Sequence, residues 1–123
     1  MSDSDLDTAK QFQSAAEAAM QTGDFEPVVS LLEPDVECVM PQHSLRGVDA
    51  FTEELSRARP SERFELEFEN GDWKVLGNGR FSFEIRALYR SKVSDELSYS
   101  RDRSFELSIN AGKVSRFEMR FAG

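Results

Sequence analysis

From Phe64 onward the apolar residues of this chain fall on every second position. Phe64, Leu66 and Phe68 alternate with Glu65, Glu67 and Glu69, and Phe81, Phe83 and Ile85 alternate with Ser82, Glu84 and Arg86. Phe105, Leu107 and Ile109 then alternate with Glu106 and Ser108, and Phe117, Met119 and Phe121 with Glu118 and Arg120. Successive strand residues point to opposite faces, so this period demands β-strands with one apolar face and one charged face. The apolar face has to be covered, and the cover must come from elsewhere in the chain.

The first half supplies it with a period of 3.6. Phe12, Ala15, Ala16, Ala19 and Met20 recur at helical spacing in a stretch rich in Ala, Glu and Gln, and Gly23 stands where a left-handed cap ends a helix. This predicts a first helix from Thr8, preceded by a disordered polar tail over residues 1–7, with residues 8–123 forming one domain. Asp24 is placed to cap a short second helix, with Pro27 in its first turn, Phe25, Val28, Leu31 and Leu32 facing inward, and Pro34 as its stop. Val36–Met40 reads as a strand, Pro41–Gly47 as a loop, and Val48–Ala58 as a third helix with Val48, Phe51 and Leu55 on one stripe. Glu17 reads as solvent-facing from its neighbours.

Turn signals at Asn70-Gly71, Gly77-Asn78-Gly79 and Asn110-Ala111-Gly112 separate the later strands and predict antiparallel neighbours. The expected architecture is α+β: a cone-like, curved antiparallel sheet closed by three N-terminal helices. On its charged face, Glu65, Glu67 and Glu69 should lie near Arg80 and Arg86, and Asp102 and Glu106 near Arg116 and Arg120. Opposite charges across strands help set register. That face reads either as a solvated surface or as a polar dimer interface.

Composition narrows the function. The 123 residues hold 15 Lys and Arg against 23 Asp and Glu, a net charge of −8, which disfavours nucleic acid and anionic membrane surfaces as partners. No apolar run approaches membrane-spanning length and the acidic start lacks a signal-peptide pattern, so the expected location is cytoplasmic. Cys38 is the one cysteine, no metal-ligand spacing occurs, and no glycine-rich loop precedes a helix, so neither a metal nor a nucleotide cofactor is expected.

The stretch AAMQTGDFEPVVSLLEPDVECVMPQHSLRGVDAFTEEL, together with the closing INAGKVSRFEMRF, resembles the nuclear-transport-factor-2-like superfamily, and within it the SnoaL-like and ketosteroid-isomerase-like proteins. The resemblance covers about Thr8 to Phe121. It implies a cone with an internal pocket and a homodimer formed through the outer sheet face. The ketosteroid-isomerase triad is not carried over. The position of its tyrosine, eight residues before Asp24, is Ala16; the residue before Pro41 is Met40; and the penultimate-strand position falls at Arg103, with Asp102 beside it.

Other groups could act in its place. His43 is the one side chain with an unperturbed pKa near neutrality, and Arg103 or Asp102 could join it as catalytic groups. Counting back by twos from Phe105 puts Arg103, Arg101 and Tyr99 on the inward side, where the arginines could recognise a carboxylate or other anion. Trp73 and Tyr89 offer an apolar body with a polar tip. Together with Phe12, Val36, Met40, Phe51, Phe83, Phe105 and Phe117, these residues form the expected lining for a small apolar or aromatic molecule. Two readings follow. One is a small-molecule-binding protein, with cofactor-free isomerase, cyclase or hydrolase chemistry; the other is a non-catalytic dimeric interaction domain whose cone is filled by its ten phenylalanines.

Overall fold

The computed structural model of the chain describes residues 2–60 and 62–121. The elements run α1 (Ser2–Thr22), α2 (Glu26–Val29), β1 (Leu32–Val39), β2 (Ser44–Arg46), α3 (Val48–Arg57), β3 (Phe64–Asn70), β4 (Lys74–Gly77), β5 (Arg80–Ser91), β6 (Leu97–Asn110) and β7 (Lys113–Phe121). Three helices lie on a seven-stranded curved sheet ordered β2-β1-β7-β6-β5-β3, with β4 also paired to β5. This is the expected α+β architecture.

The expectation of a disordered tail over residues 1–7 is corrected: α1 begins at Ser2, while Met1 lies outside the described residues. The apolar stripe starts a turn and a half earlier than Phe12, because Leu6 packs against the core and Ala9 is fully buried. Acidic residues such as Asp5 also suit the positive end of the helix dipole. The helix ends as its sequence predicts, with the Gly23 N–H donating to the Ala19 carbonyl at 2.8 Å. Asp24 Oδ1 accepts the Glu26 N–H at 3.2 Å and so assists the start of α2.

Pro34 does not end a helix but lies inside β1. The register of β1 against β7 shifts between Leu32 and Glu37, so Pro34 falls where the ladder does not need an N–H that proline lacks. The sheet also departs from the antiparallel expectation at one pairing, because β1 runs parallel to β7, with Cys38 opposite Phe117. These strands lie at opposite ends of the chain and are linked through α3 and the whole meander, so no tight turn constrains their direction.

Asn70-Gly71 is not a hairpin turn. Both β3 and β4 pair with β5, β3 along Ile85–Ser91 and β4 along Arg80–Ser82, so they form one interrupted strand. Gly71 donates its N–H to the Glu84 carbonyl at 2.7 Å across the break. The hairpin reversal comes next, at Gly77-Asn78-Gly79, where all three residues have positive φ.

The core sits between the inner sheet face and the helices. Phe12 of α1, Phe51 of α3 and Phe117 of β7 form an aromatic triangle with ring centroids 6.1, 5.9 and 5.2 Å apart, at tilted or edge-on angles. Phe81, Leu107, Val36 and Val114 are almost fully buried beside it.

The outer face carries an ion-pair network rather than isolated charges. Arg116 reaches Glu37 at 3.0 Å, Glu118 at 2.9 Å and Glu106 at 3.7 Å; Arg80 joins Glu106 at 3.1 Å, Arg46 joins Glu37 at 3.4 Å, and Arg120 joins Glu118. Arg86 holds Asp102 at 2.8 Å, and Arg90 holds Glu67 at 3.0 Å. Of the pairings read from the sequence, Glu69 opposite Arg86 and Glu106 near Arg116 are realised. The others are corrected by the register: Asp102 pairs with Arg86, Glu67 with Arg90, Arg80 with Glu106, and Arg120 with Glu118.

Candidate functional site

The phenylalanines do not fill the space under the helices. A cavity of about 520 Å³ lies between α1, α3 and the inner sheet face. Phe12, Ala16 and Met20 face it from α1, Phe51, Leu55 and Ala58 from the α3 side, and Cys38 and Met40 from the first strand and its end. The sheet contributes Leu66 and Phe68 from β3, Phe83 and Ala87 from β5, and Phe117 and Met119 from β7. Such a volume is of the scale that holds a small organic molecule.

Polar groups interrupt this lining in two places. On the helix side stand Gln13, Glu17 and Glu54, with Arg57 and Arg59 at the end of α3 and just beyond it. Gln13 is buried and donates from Nε2 to Glu17 Oε1 at 3.2 Å. Glu17 therefore faces the cavity and not solvent, held there by the i, i+4 contact. Glu54 is only 19% exposed; its carboxylate lies 3.5 Å from His43 Nε2 and 3.7 Å from Arg57 Nη1. On the sheet side, Tyr89 of β5 and Tyr99, Arg101 and Arg103 of β6 occupy alternate positions above Phe105.

Most of the residues expected to line the interior do so: Phe12, Met40, Phe51, Phe83, Tyr89, Tyr99, Arg101, Phe105 and Phe117. Two do not. Val36 is fully buried in the core beneath the cavity, and Trp73 lies against Phe83, with ring centroids 4.3 Å apart, outside the lining. Trp73 precedes β4, beyond the break at Gly71, and the break displaces it from the row it would otherwise extend.

The catalytic candidates separate. Arg103 faces the cavity, whereas Asp102, one residue earlier, lies on the outer face against Arg86 and is corrected as a cavity group. The bond from Arg86 holds its carboxyl below the usual aspartate range. Strand parity decides this: neighbours on β6 cannot share a face. His43 is half exposed and outside the lining, and its imidazole meets the cavity wall at Glu54. Glu54 is the acidic group that the sequence reading passed over. Its signal was present, since Phe51, Glu54, Leu55 and Ala58 share one helical stripe.

Burial pushes the Cys38 thiol up to about 12, with the Glu54 charge adding to the effect. Almost none of it is thiolate at neutral pH, and Cys38 serves here as an apolar wall group with its Sγ 3.7 Å from the Met40 sulfur. Burial, and then the neighbouring Arg101 charge, lowers the pKa of Arg103. Tyr89 is raised, chiefly by burial, so its phenol remains a hydrogen-bond donor at neutral pH. Among the described residues no group of three or more His, Cys, Asp or Glu converges as a metal site would require, and no helix is long and apolar enough to cross a membrane.

Comparison with known proteins gives the fold its name. No family model matches the chain, and no curated protein does. Solved structures match over nearly its whole length. An NTF2-like protein from Anabaena variabilis superposes with a TM-score of 0.79 at 18% identity, covering 98% of this chain and 91% of that one. A provisionally assigned polyketide cyclase from Xanthomonas campestris gives 0.71 at 17% identity, covering 96% and 93%. TerC, co-crystallized with polyporic acid, gives 0.71 at 17% identity, covering 97% and 92%. The chain has the NTF2-like fold, as the motif order in its sequence implied.

Proposed function

We propose that this chain binds a small, largely apolar aromatic molecule in the cavity between α1, α3 and the sheet. The observation that carries this reading is the open volume of about 520 Å³ in a core otherwise packed ring against ring. An empty apolar cavity costs stability through the contacts its walls forgo, so retaining one calls for a use. Similar folds include a provisionally assigned polyketide cyclase and a protein co-crystallized with polyporic acid, and both support a small-molecule role. Cofactor-free isomerase, cyclase or hydrolase chemistry would draw on Glu54, positioned by His43, and on Arg103. The missing ketosteroid-isomerase triad argues for a different arrangement of polar groups: its positions are Ala16, Met40 and Arg103 here, and all three face the cavity.

The test uses N-phenyl-1-naphthylamine, an uncharged aromatic dye whose fluorescence rises on transfer to an apolar site. Saturable binding is expected with the wild-type chain. Ala87→Trp is expected to abolish it, because Ala87 is a buried wall residue and the indole would occupy the space. Dye binding unaffected by Ala87→Trp in a folded variant would place the dye elsewhere and refute this reading.

A homodimer through the outer sheet face belongs to the same proposal. Its support is the network joining Arg46, Glu37, Arg116, Glu106 and Arg80, which displays both signs in one band and can meet its own copy without like-charge repulsion. Light scattering at micromolar concentration should return twice the 14.0 kDa chain mass, and the monomer mass would contradict it.

A further inference from the structure

Among the described residues Gln13 of α1 is the one buried polar side chain, at 8% exposure. It borders the cavity beside Phe12, Phe51 and Phe117, and every charged residue of the lining is more exposed than it is. Those charges have partners of their own. Arg57 bonds Glu53 at 2.6 Å and meets Glu54 at 3.7 Å, Arg59 donates from Nε to the Met20 carbonyl at 3.2 Å, and Arg101 lies 5.3 Å from the Tyr99 ring centroid. In the buried part of the lining, Gln13 is therefore the one side chain with a nitrogen or oxygen to offer a ligand.

Glu17 fixes which way that amide faces. A carboxylate accepts and does not donate, so the Gln13 Nε2 edge turns to Glu17 Oε1, at 3.2 Å, and Gln13 Oε1 is left on the other side. That oxygen accepts no hydrogen bond from a described residue, yet no side-chain nitrogen or oxygen among them is both sealed from solvent and unpaired. It therefore reaches open space, and the open space that Gln13 borders is the cavity. An amide oxygen turned to an apolar void forgoes a hydrogen bond that it has in water, which is costly. Helix propensity does not explain its presence, because leucine or methionine would serve α1 as well at this position.

We infer that Gln13 is a specificity-determining residue, and that the ligand is an uncharged aromatic of the phenol class whose hydroxyl donates to Gln13 Oε1 while its ring lies among the phenylalanines. The inference rests on the cavity-binding reading above and adds the polar group by which the occupant is told from a plain hydrocarbon. Selection comes from mismatch as well as from match. A hydrocarbon leaves the amide oxygen unpaired in apolar surroundings, and a phenolate would set two acceptors face to face. Glu17 acts through Gln13 as a positioning residue.

The experiment compares 2-naphthol with 2-methylnaphthalene, in which a methyl group of similar size replaces the hydroxyl. Each displaces N-phenyl-1-naphthylamine at neutral pH, well below the ordinary phenol pKa of about 10, so the naphthol is uncharged. Taking the two affinities as a ratio on one protein cancels any change in how the dye itself binds. The wild type should bind 2-naphthol at least as tightly as the more hydrophobic hydrocarbon. Gln13→Met, of similar length and helix propensity, should move the ratio about tenfold toward the hydrocarbon through loss of the buried hydrogen bond. Glu17→Leu, which lets the amide turn, should lose most of the preference, and Glu17→Gln, which still offers an oxygen to the Gln13 N–H, should restore it. Near-UV circular dichroism reports native packing, and the wild-type comparison requires no variant to fold. Preference of the wild type for the hydrocarbon, displacement of the dye by neither compound, or an unchanged ratio in folded Gln13→Met would overturn the inference while the cavity reading stands. Failure of the neutral dye to bind the wild type would overturn both.

Discussion

Phe81→Ala is expected to lower stability by about 3–5 kcal/mol, the range for removing a fully buried aromatic side chain and leaving a void. Phe81 is 1% exposed and pairs across the sheet with Leu107 on one side and Val75 on the other. It belongs to the same buried cluster as Ala9 of α1, so its loss removes packing between sheet and helix as well as within the sheet. It does not line the cavity, so whatever variant remains folded should bind the neutral dye as the wild type does. Chemical denaturation followed by circular dichroism measures the effect. Val93→Ala is the matched control: Val93 is 95% exposed, and its truncation should stay within about 0.5 kcal/mol. A Phe81→Ala variant as stable as Val93→Ala would mean that the helix–sheet packing described here is wrong.

Gly79→Ala is the second large effect, and it acts through the backbone. Gly79 has φ of +73°, and a Cβ there would stand 2.6 Å from the Ile109 carbonyl oxygen. That oxygen belongs to β6, and Ile109 also donates its N–H to the Gly79 carbonyl at 2.8 Å, so the two segments cannot separate without losing a hydrogen bond. The left-handed conformation and the clash together should cost roughly 2–4 kcal/mol. Gly112 has φ of +76° but open space around its would-be Cβ, so Gly112→Ala should lose only the conformational part, about 1–2 kcal/mol. Equal losses in the two variants, measured by the same denaturation, would remove the close approach at Gly79 from the account.

Much of the site was legible beforehand because strand parity is a strict rule. Phe105, Arg103, Arg101 and Tyr99 were placed on one face by counting in twos, and the cavity lies against all four. The same rule sets Asp102 outside, a choice that stayed open because the resemblance could slip by one residue. Trp73 was misplaced where the rule was interrupted: Asn70-Gly71 carries a turn signature, yet Gly71 bonds to Glu84 and the chain continues along β5. A dipeptide signals local bending but not which strand lies opposite. Glu54 was passed over, and Glu17 was read as solvent-facing, for a related reason. An acidic residue on an otherwise apolar helical stripe reads as its boundary until the space in front of it proves to be a cavity and not packed side chains.

Alternation and helical periodicity, both consequences of backbone geometry, by themselves determined the α+β class, the order of most elements, and the division of the sheet into an apolar and a charged face. Only the tertiary structure decided that β1 lies parallel beside β7, that β3 and β4 share one partner, and that about 520 Å³ stays open beneath the helices. Pairing between distant strands and the volume left between packed layers depend on how all the side chains meet at once, and no local period encodes that sum.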